Sequence, residues 1–373
     1  MRIGFDAKRA FMNSSGLGNY SRTLIRSLVD QFPGNKYFAF TPGVKENLGK
    51  ELAESSNMKM IFPPQLMRNM LSSLWRSSFV SEDIRAEQLD IFHGLSNELP
   101  KRIPVSTKKV VTIHDLIFLR HPEWYPLIDR NLYYKKSKHA CKVADAIVAV
   151  SEQTRADIIY FFNTPKEKIQ VIYQGVDNRF TGKADSEVVV DFKRKNNLPA
   201  KYILYVGTVE ERKDLLTLVK ALAELDDAKL VVIGKQKNYA ERVKNFIRDH
   251  KLESRVIFPD HVSSEELNLF YRGATVFVYP SLYEGFGIPV IEALECGVPV
   301  IATGSTALPE AGGPSSLYFK PGNYTELSEK INMVMNDDML RSKMITDGQE
   351  YAKRFSPELA ASKMMDLYSQ LAG

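Results

Sequence analysis

Short runs of β-branched and aromatic residues alternate with longer amphipathic stretches along this whole chain, and that alternation leaves few folds open. A strand apolar along its full length is buried on both faces, and crossover helices supply the cover. The pattern therefore predicts an α/β chain of doubly wound, Rossmann-like parallel sheets. In the first half, strands are expected at Arg2–Asp6, Tyr37–Thr41, Lys59–Phe62, Ile91–His93, Lys109–His114, Ala146–Val150 and Gln170–Tyr173. Segments such as Leu17–Gln31 and Leu127–Lys142 carry apolar residues at helical spacing between them.

A polar stretch, Asp177–Lys201, interrupts the rhythm, which restarts at Tyr202–Val206, Leu230–Ile233, Val256–Phe258, Val276–Tyr279 and Pro299–Ala302. Two domains in series are the reading, and 373 residues suit it, at roughly 100–200 residues per domain. The first is expected over 1–178 and the second over 179–355. A last amphipathic helix, Ser356–Leu371, opens on Ser-Pro-Glu, a good N-cap with proline in the first turn. Residues 356–373 are expected to complete the first domain. Sheets of this kind bind ligands at the carboxyl ends of their strands, so a cleft between the two domains is the expected site.

Charge and cysteine usage exclude several classes. A net charge of +5 suits an anionic small molecule and is too weak for a nucleic-acid partner. Cys141 and Cys296, the only cysteines, rule out a disulfide framework or a zinc cluster. No apolar run reaches the ~18–20 residues that cross a bilayer, and Met1-Arg-Ile-Gly-Phe-Asp enters a strand pattern at once, so a cytoplasmic location is expected. Segment 65–80 carries Leu66, Met67, Met70, Leu71, Leu74, Trp75 and Phe79 on one helical stripe flanked by Arg68 and Arg76. It reads either as a face packed on its own sheet or as a peripheral contact with an anionic membrane.

The densest motif is Tyr283-Glu-Gly-Phe-Gly-Ile-Pro-Val-Ile-Glu, which follows an apolar strand. Gly285 and Gly287, flanking Phe286, let the backbone approach a ligand, and Pro289 marks a helix start whose free N–H groups favour anions. Glu284 and Glu292 lie eight residues apart, a little over two helical turns, so both carboxylates can accept from hydroxyls in one cleft. The competing reading is a tight strand–helix turn with solvent-facing acids.

Two other glycine-bearing loops follow first strands. Asn13-Ser-Ser-Gly-Leu-Gly-Asn-Tyr places Gly16 and Gly18 at a helix entrance, but no acid ends the second strand, so a dinucleotide fingerprint is incomplete. Gly207-Thr-Val-Glu-Glu-Arg-Lys-Asp opens the second domain with Thr208 after the glycine and a basic pair, Arg212 and Lys213. Phe92-His-Gly and Thr112-Ile-His-Asp-Leu end two strands with imidazoles, His93 and His114; each reads as a ligand contact or as a satisfied core histidine. Asp115 suits capping of the next turn as well as binding. No two aspartates lie two apart and no histidine pair has metal-ligand spacing, so no metal or other cofactor is expected.

These motifs resemble the retaining GT-B glycosyltransferases of family 4, the group 1 enzymes, over nearly the whole chain. The resemblance implies that Arg212 and Lys213 clamp the diphosphate of a nucleotide-sugar. Glu284, Gly285, Phe286, Gly287 and Glu292 would hold sugar and ribose, and Gly16, Gly18, Gly207 and Thr208 would line the donor. His114 would contact the donor sugar near the reaction centre, making it a candidate catalytic group beside Glu284, Arg212 and Lys213. Many relatives carry an arginine where Thr208 stands here, and Asp260 replaces a glycine in a loop near the base pocket. The overall pattern looks most like bacterial mannosyltransferases of polysaccharide assembly, implying a hexose (mannose from GDP-mannose first) passed to a glycan or lipid-linked acceptor. A GT-B epimerase acting on UDP-N-acetylglucosamine, a phosphorylase and a non-catalytic sugar-nucleotide-binding subunit are the alternatives.

Overall fold

The computed structural model describes residues 1–45, 48–65, 74–182 and 185–373. The chain divides into two compact units, one of Met1–Asp177 with Phe355–Gly373 and one of Asn178–Arg354.

The first unit holds a seven-stranded sheet built from β1 (Arg2–Asp6), β2 (Lys36–Phe40), β3 (Met58–Ile61), β4 (Ile91–Gly94), β5 (Lys108–Ile113), β6 (Ala146–Ala149) and β7 (Ile169–Val171). Its order is β3-β2-β1-β4-β5-β6-β7 and every pairing is parallel. The direction of winding reverses between β1 and β4, the switch point at which such sheets open a crevice. One core lies on each face. Ile3, Phe5 and Val148 pack with Leu24, Leu28 and the C-terminal helix Pro357–Ala372. Phe38, Phe92, Val111 and Ile147 pack with Trp75, Ile84 and Cys141 on the other side.

The C-terminal helix starts where its sequence requires: the Ser356 side chain accepts from the Leu359 amide at 3.1 Å and Pro357 takes the first turn. It buries Met364, Met365 and Tyr368, and the Tyr368 hydroxyl bonds Nδ1 of His93 at 2.6 Å.

The second unit carries β8 (Ile203–Val206), β9 (Leu230–Ile233), β10 (Val256–Ile257), β11 (Val276–Tyr279), β12 (Val300–Thr303) and β13 (Leu317–Phe319), in the parallel order β10-β9-β8-β11-β12-β13. Its switch point lies between β8 and β11.

Of segment 65–80, the stretch 66–73 lies outside the described residues, and with it Leu66, Met67, Arg68, Met70 and Leu71. The rest corrects the lipid-facing reading in part. Trp75 is fully buried, its indole nitrogen donating to Asp83 at 2.8 Å, and Arg76 turns inward onto Asp6 and Glu98. A guanidinium neutralised by two carboxylates offers no charge to a membrane. Phe79 and Leu74 remain 45% exposed. No helix among the described residues is long and apolar enough to cross a membrane.

Candidate active site

Sequence-distant motifs meet at the switch point of the second sheet. After β8, a parallel bridge between Val209 and Gln236 carries the chain past the strand end, and Glu211–Lys213 closes one 3₁₀ turn before helix Leu215–Ala223. After β11, residues Pro280–Phe286 run to helix Ile288–Glu295. The two segments are clasped by backbone: Leu282 N–H donates to the Arg212 carbonyl at 2.8 Å, and Arg212 Nη1 donates to the Tyr283 carbonyl at 2.8 Å.

The clasp brings Arg212, Lys213 and Glu284 into one ionic cluster. Lys213 Nζ donates to Glu284 Oε1 and to the Tyr279 hydroxyl, while Arg212 Nη1 stands 3.1 Å from Glu284 Oε2. Ser281 Oγ donates to the same carboxylate at 2.6 Å, and the Glu284 amide donates to Thr306 at 3.3 Å. Glu210 completes the group, accepting from Arg212 at 2.9 Å and from Lys237. Three cations face two carboxylates, a net excess of one positive charge that favours an arriving phosphate.

Burial sets the electrostatics. Both Lys213 and Glu284 are buried. Desolvation pushes the Lys213 ammonium down to about 8 against the pull of Glu284. Burial alone would raise the Glu284 carboxyl, yet Lys213 and then Arg212 outweigh it and hold it at about 2. The three groups are charged together at neutral pH.

Gly287 takes φ 124, a conformation that side chains disfavour, and a Cβ there would lie 2.8 Å from Leu308 Cδ2. It starts helix Ile288–Glu295, with Pro289 in its first turn. Gly285 and Phe286 are buried beside it. Glu292, one face further on, accepts from the Tyr271 hydroxyl at 2.9 Å. Gly207 follows β8 with its amide on the Ile233 carbonyl, and the Thr208 carbonyl accepts from the Tyr205 hydroxyl at 3.2 Å. Tyr279, Ser281, Tyr271 and Thr306 therefore belong to the site. Each is an unremarked residue in the sequence, and only the two folded loops show what it touches.

The first-unit candidates are positioned differently. His114 is buried, with Nε2 at 2.8 Å from the Leu95 carbonyl and Nδ1 at 3.2 Å from the Gln174 amide nitrogen. A carbonyl only accepts, so Nε2 carries the proton and Nδ1 accepts from Gln174. Burial lowers its pKa to about 4, leaving a neutral ring edge-on to Tyr20. Both nitrogens are thus hydrogen-bonded within the first unit. His93 is a core histidine, bridging Tyr368 and Thr112 Oγ1 at 2.6 and 2.8 Å. Asp115 accepts from the Ile117 amide at 3.2 Å, the turn-capping role.

In the glycine loop, Gly16 is exposed and Gly18 is buried in the first turn of helix Gly16–Gln31. A Cβ on Gly18 would fall 1.9 Å from the Asn13 carbonyl oxygen, so only glycine permits the loop to close so tightly. Arg22 fastens that loop, donating to the Ala10 and Asn13 carbonyls at 2.7 and 2.9 Å. Among the described residues no group of three His, Cys, Asp or Glu is placed to hold a metal ion.

The chain matches two family models, glycosyltransferase family 4 over residues 14–180 and glycosyl transferases group 1 over residues 189–351. It is 27% identical over its full length to the O-antigen chain mannosyltransferase B of Escherichia coli, which it covers completely. It is 28% identical over 72% of its length to a serotype-specific mannosyltransferase WbdA of Escherichia coli, spanning about a third (34%) of that longer chain. In fold it is similar to the sucrose-phosphate synthase of Thermosynechococcus elongatus, with a TM-score of 0.79, 22% identity and coverage of 100% and 99% of the two chains. Two parallel-sheet α/β domains of this kind are the GT-B architecture. With one model matched in each domain, the chain belongs to the group 1, family 4-type glycosyltransferases.

Proposed function

We propose that the protein moves a hexose from a nucleotide-sugar to a glycan or lipid-linked acceptor, with retention at the anomeric carbon and without a metal ion. The observation that carries this reading is the buried Arg212–Lys213–Glu284 cluster at the switch point of the second sheet. Arg212 and Lys213 would neutralise the departing diphosphate, the role a divalent ion plays in other transferases. Such preorganised stabilisation is commonly worth several kcal/mol, roughly 3 for one well-placed donor. The start of helix Ile288–Glu295 adds amide donors on the same side.

Glu284 holds the two cations in place, and Glu292 would accept from the ribose hydroxyls. In the transfer step the bond from the anomeric carbon to the diphosphate oxygen breaks and the acceptor oxygen bonds on the same face. Its proton passes to the leaving phosphate. The likeness to O-antigen mannosyltransferases favours mannose, with GDP-mannose as the donor of first choice.

Calorimetric titration with UDP, GDP, ADP and CMP, with and without EDTA, tests the site on wild type and Glu292→Ala. One diphosphate nucleotide should bind, keep its affinity in EDTA, and weaken roughly ten-fold or more in the variant, the loss expected for a charged hydrogen bond. Folded protein that binds none of the four ends the transferase reading. Proton NMR of the product then reads the anomeric configuration directly.

A further inference from the structure

A buried phenol backs the Glu292 carboxylate. Tyr271, fully buried on helix Ser264–Gly273, donates its hydroxyl to Glu292 Oε2 at 2.9 Å. A buried tyrosine hydroxyl needs a partner, and most side-chain hydrogen bonds go to backbone or water. The hydroxyls of Tyr37, Tyr202 and Tyr205 follow that rule, donating to the carbonyls of Leu28, Phe270 and Thr208. Tyr271 instead meets a carboxylate whose own residue is only partly buried. Burial, and then Glu292 itself, keeps the phenol well above its ordinary pKa, so at neutral pH it stays protonated and donating.

The phenol is itself locked in place. Its ring stands edge-on to Phe180 at 5.7 Å and tilted against Phe277 at 5.4 Å. The turn that carries Phe180, Asn178–Phe180, is tied to the same helix. Asn268 donates to the Arg179 carbonyl at 2.6 Å, and Arg272 donates to the Phe180 and Gly182 carbonyls at 3.0 and 2.8 Å. The helix starts on a capping box formed by Ser263 and Glu266. Tyr271 cannot shift without breaking these contacts.

What such a fixed donor does for a glutamate follows from the side chain's length. A glutamate loses rotamer freedom when a ligand fixes it, and that loss weakens binding. A hydrogen bond formed before the ligand arrives takes the loss in advance. A carboxylate offers about four acceptor sites on its two oxygens, so the bond to Oε2 does not exhaust it.

We propose that Tyr271 is a positioning residue for ribose recognition, fixing the Glu292 carboxylate in the rotamer that accepts from the 2′- and 3′-hydroxyls of the donor nucleotide. The assignment rests on the donor-site reading for the ribose, and on the Tyr271–Glu292 bond and its packing for the positioning.

The test is calorimetric titration with UDP, GDP, ADP and CMP, each beside its 2′,3′-dideoxy form. It is run on wild type, Tyr271→Phe, Glu292→Ala and the double variant. Tyr271→Phe removes one oxygen and keeps the ring against Phe180 and Phe277. The nucleotide that binds should weaken roughly ten-fold in Tyr271→Phe, as the loss of one charged hydrogen bond predicts. Its dideoxy form should stay within about two-fold of wild type, the scatter of an independent site. In Glu292→Ala, adding Tyr271→Phe should weaken the nucleotide no further, because Tyr271 acts through that carboxylate.

Equal loss of the nucleotide and its dideoxy form in Tyr271→Phe would give the phenol a structural role alone and overturn the proposal. Additive losses in the double variant, or a wild type that does not distinguish the two forms, overturn it as well. A ribose preference that Tyr271→Phe leaves intact overturns this proposal and spares the donor site. Folded wild type that binds none of the nucleotides overturns both together.

Discussion

Lys213 and Glu284 pull each other in opposite directions, and the sign of each effect has a measurable outcome. The Glu284 carboxyl, ordinarily near 4.5, sits at about 2 in the folded protein because burial is outweighed by Lys213 and Arg212. Between those values the unfolded chain binds a proton that the folded chain refuses. The stabilisation is therefore complete above pH 4.5 and is lost as pH falls towards 2. Glu284→Gln should be less stable than wild type at pH 7 by about 3 kcal/mol, since it leaves Lys213 buried beside Arg212. That gap should close as pH falls from 4.5 to 2, read from urea unfolding at a series of pH values. A gap that ignores pH across this window would show that the charge on Glu284 is not what holds the cluster. Arg212, Lys213 and Glu284 were legible one by one, because their types and loop positions suit anion and hydroxyl binding. Their partners were not: Tyr279 is the last residue of an apolar strand, and its hydroxyl meets Lys213 only after β8 and β11 pair. His114 shows the converse. Its position at a strand end was readable, but not that Leu95 and Gln174 occupy both of its nitrogens.

At the scale of elements, the turn into helix Ile288–Glu295 is the most tightly constrained. Gly287→Ala must hold φ 124 with a side chain and push against Leu308, so a loss of roughly 1–3 kcal/mol is expected. Thermal unfolding measures it, and nucleotide affinity should fall with it because the helix start moves; an unchanged melting temperature would mean that the turn relaxes freely. Most elements were legible because apolar periodicity and capping agree: β9 and β11 begin and end where their apolar runs do. Strand β13 was not. It has three residues, only Phe319 of them buried, and it follows Gly312-Gly313-Pro314-Ser315-Ser316, which reads as loop. Helix Lys8–Met12 was missed as well, since five residues are too few to show a helical period.

At the scale of the molecule, the first unit is discontinuous in sequence, closed by Phe355–Gly373 after the second unit is complete. Tyr368→Phe removes the hydroxyl that meets His93 and leaves a buried nitrogen unpartnered, at a cost of about 1–3 kcal/mol. Scanning calorimetry should show the transition of the first unit lowered and that of the second unmoved. A single transition moving as a whole would show that the two unfold together. The same returning helix sets an order of events during synthesis. Domains generally fold as they leave the ribosome, beginning from the N-terminus. Here the half that emerges first cannot cover Ile3, Leu24 and Leu28 until residues 355–373 appear. The second unit, though translated later, has its whole core in hand sooner. A growing chain would thus have a finished second unit and an open, chaperone-accessible first unit, and premature termination near residue 354 would leave that imbalance permanent.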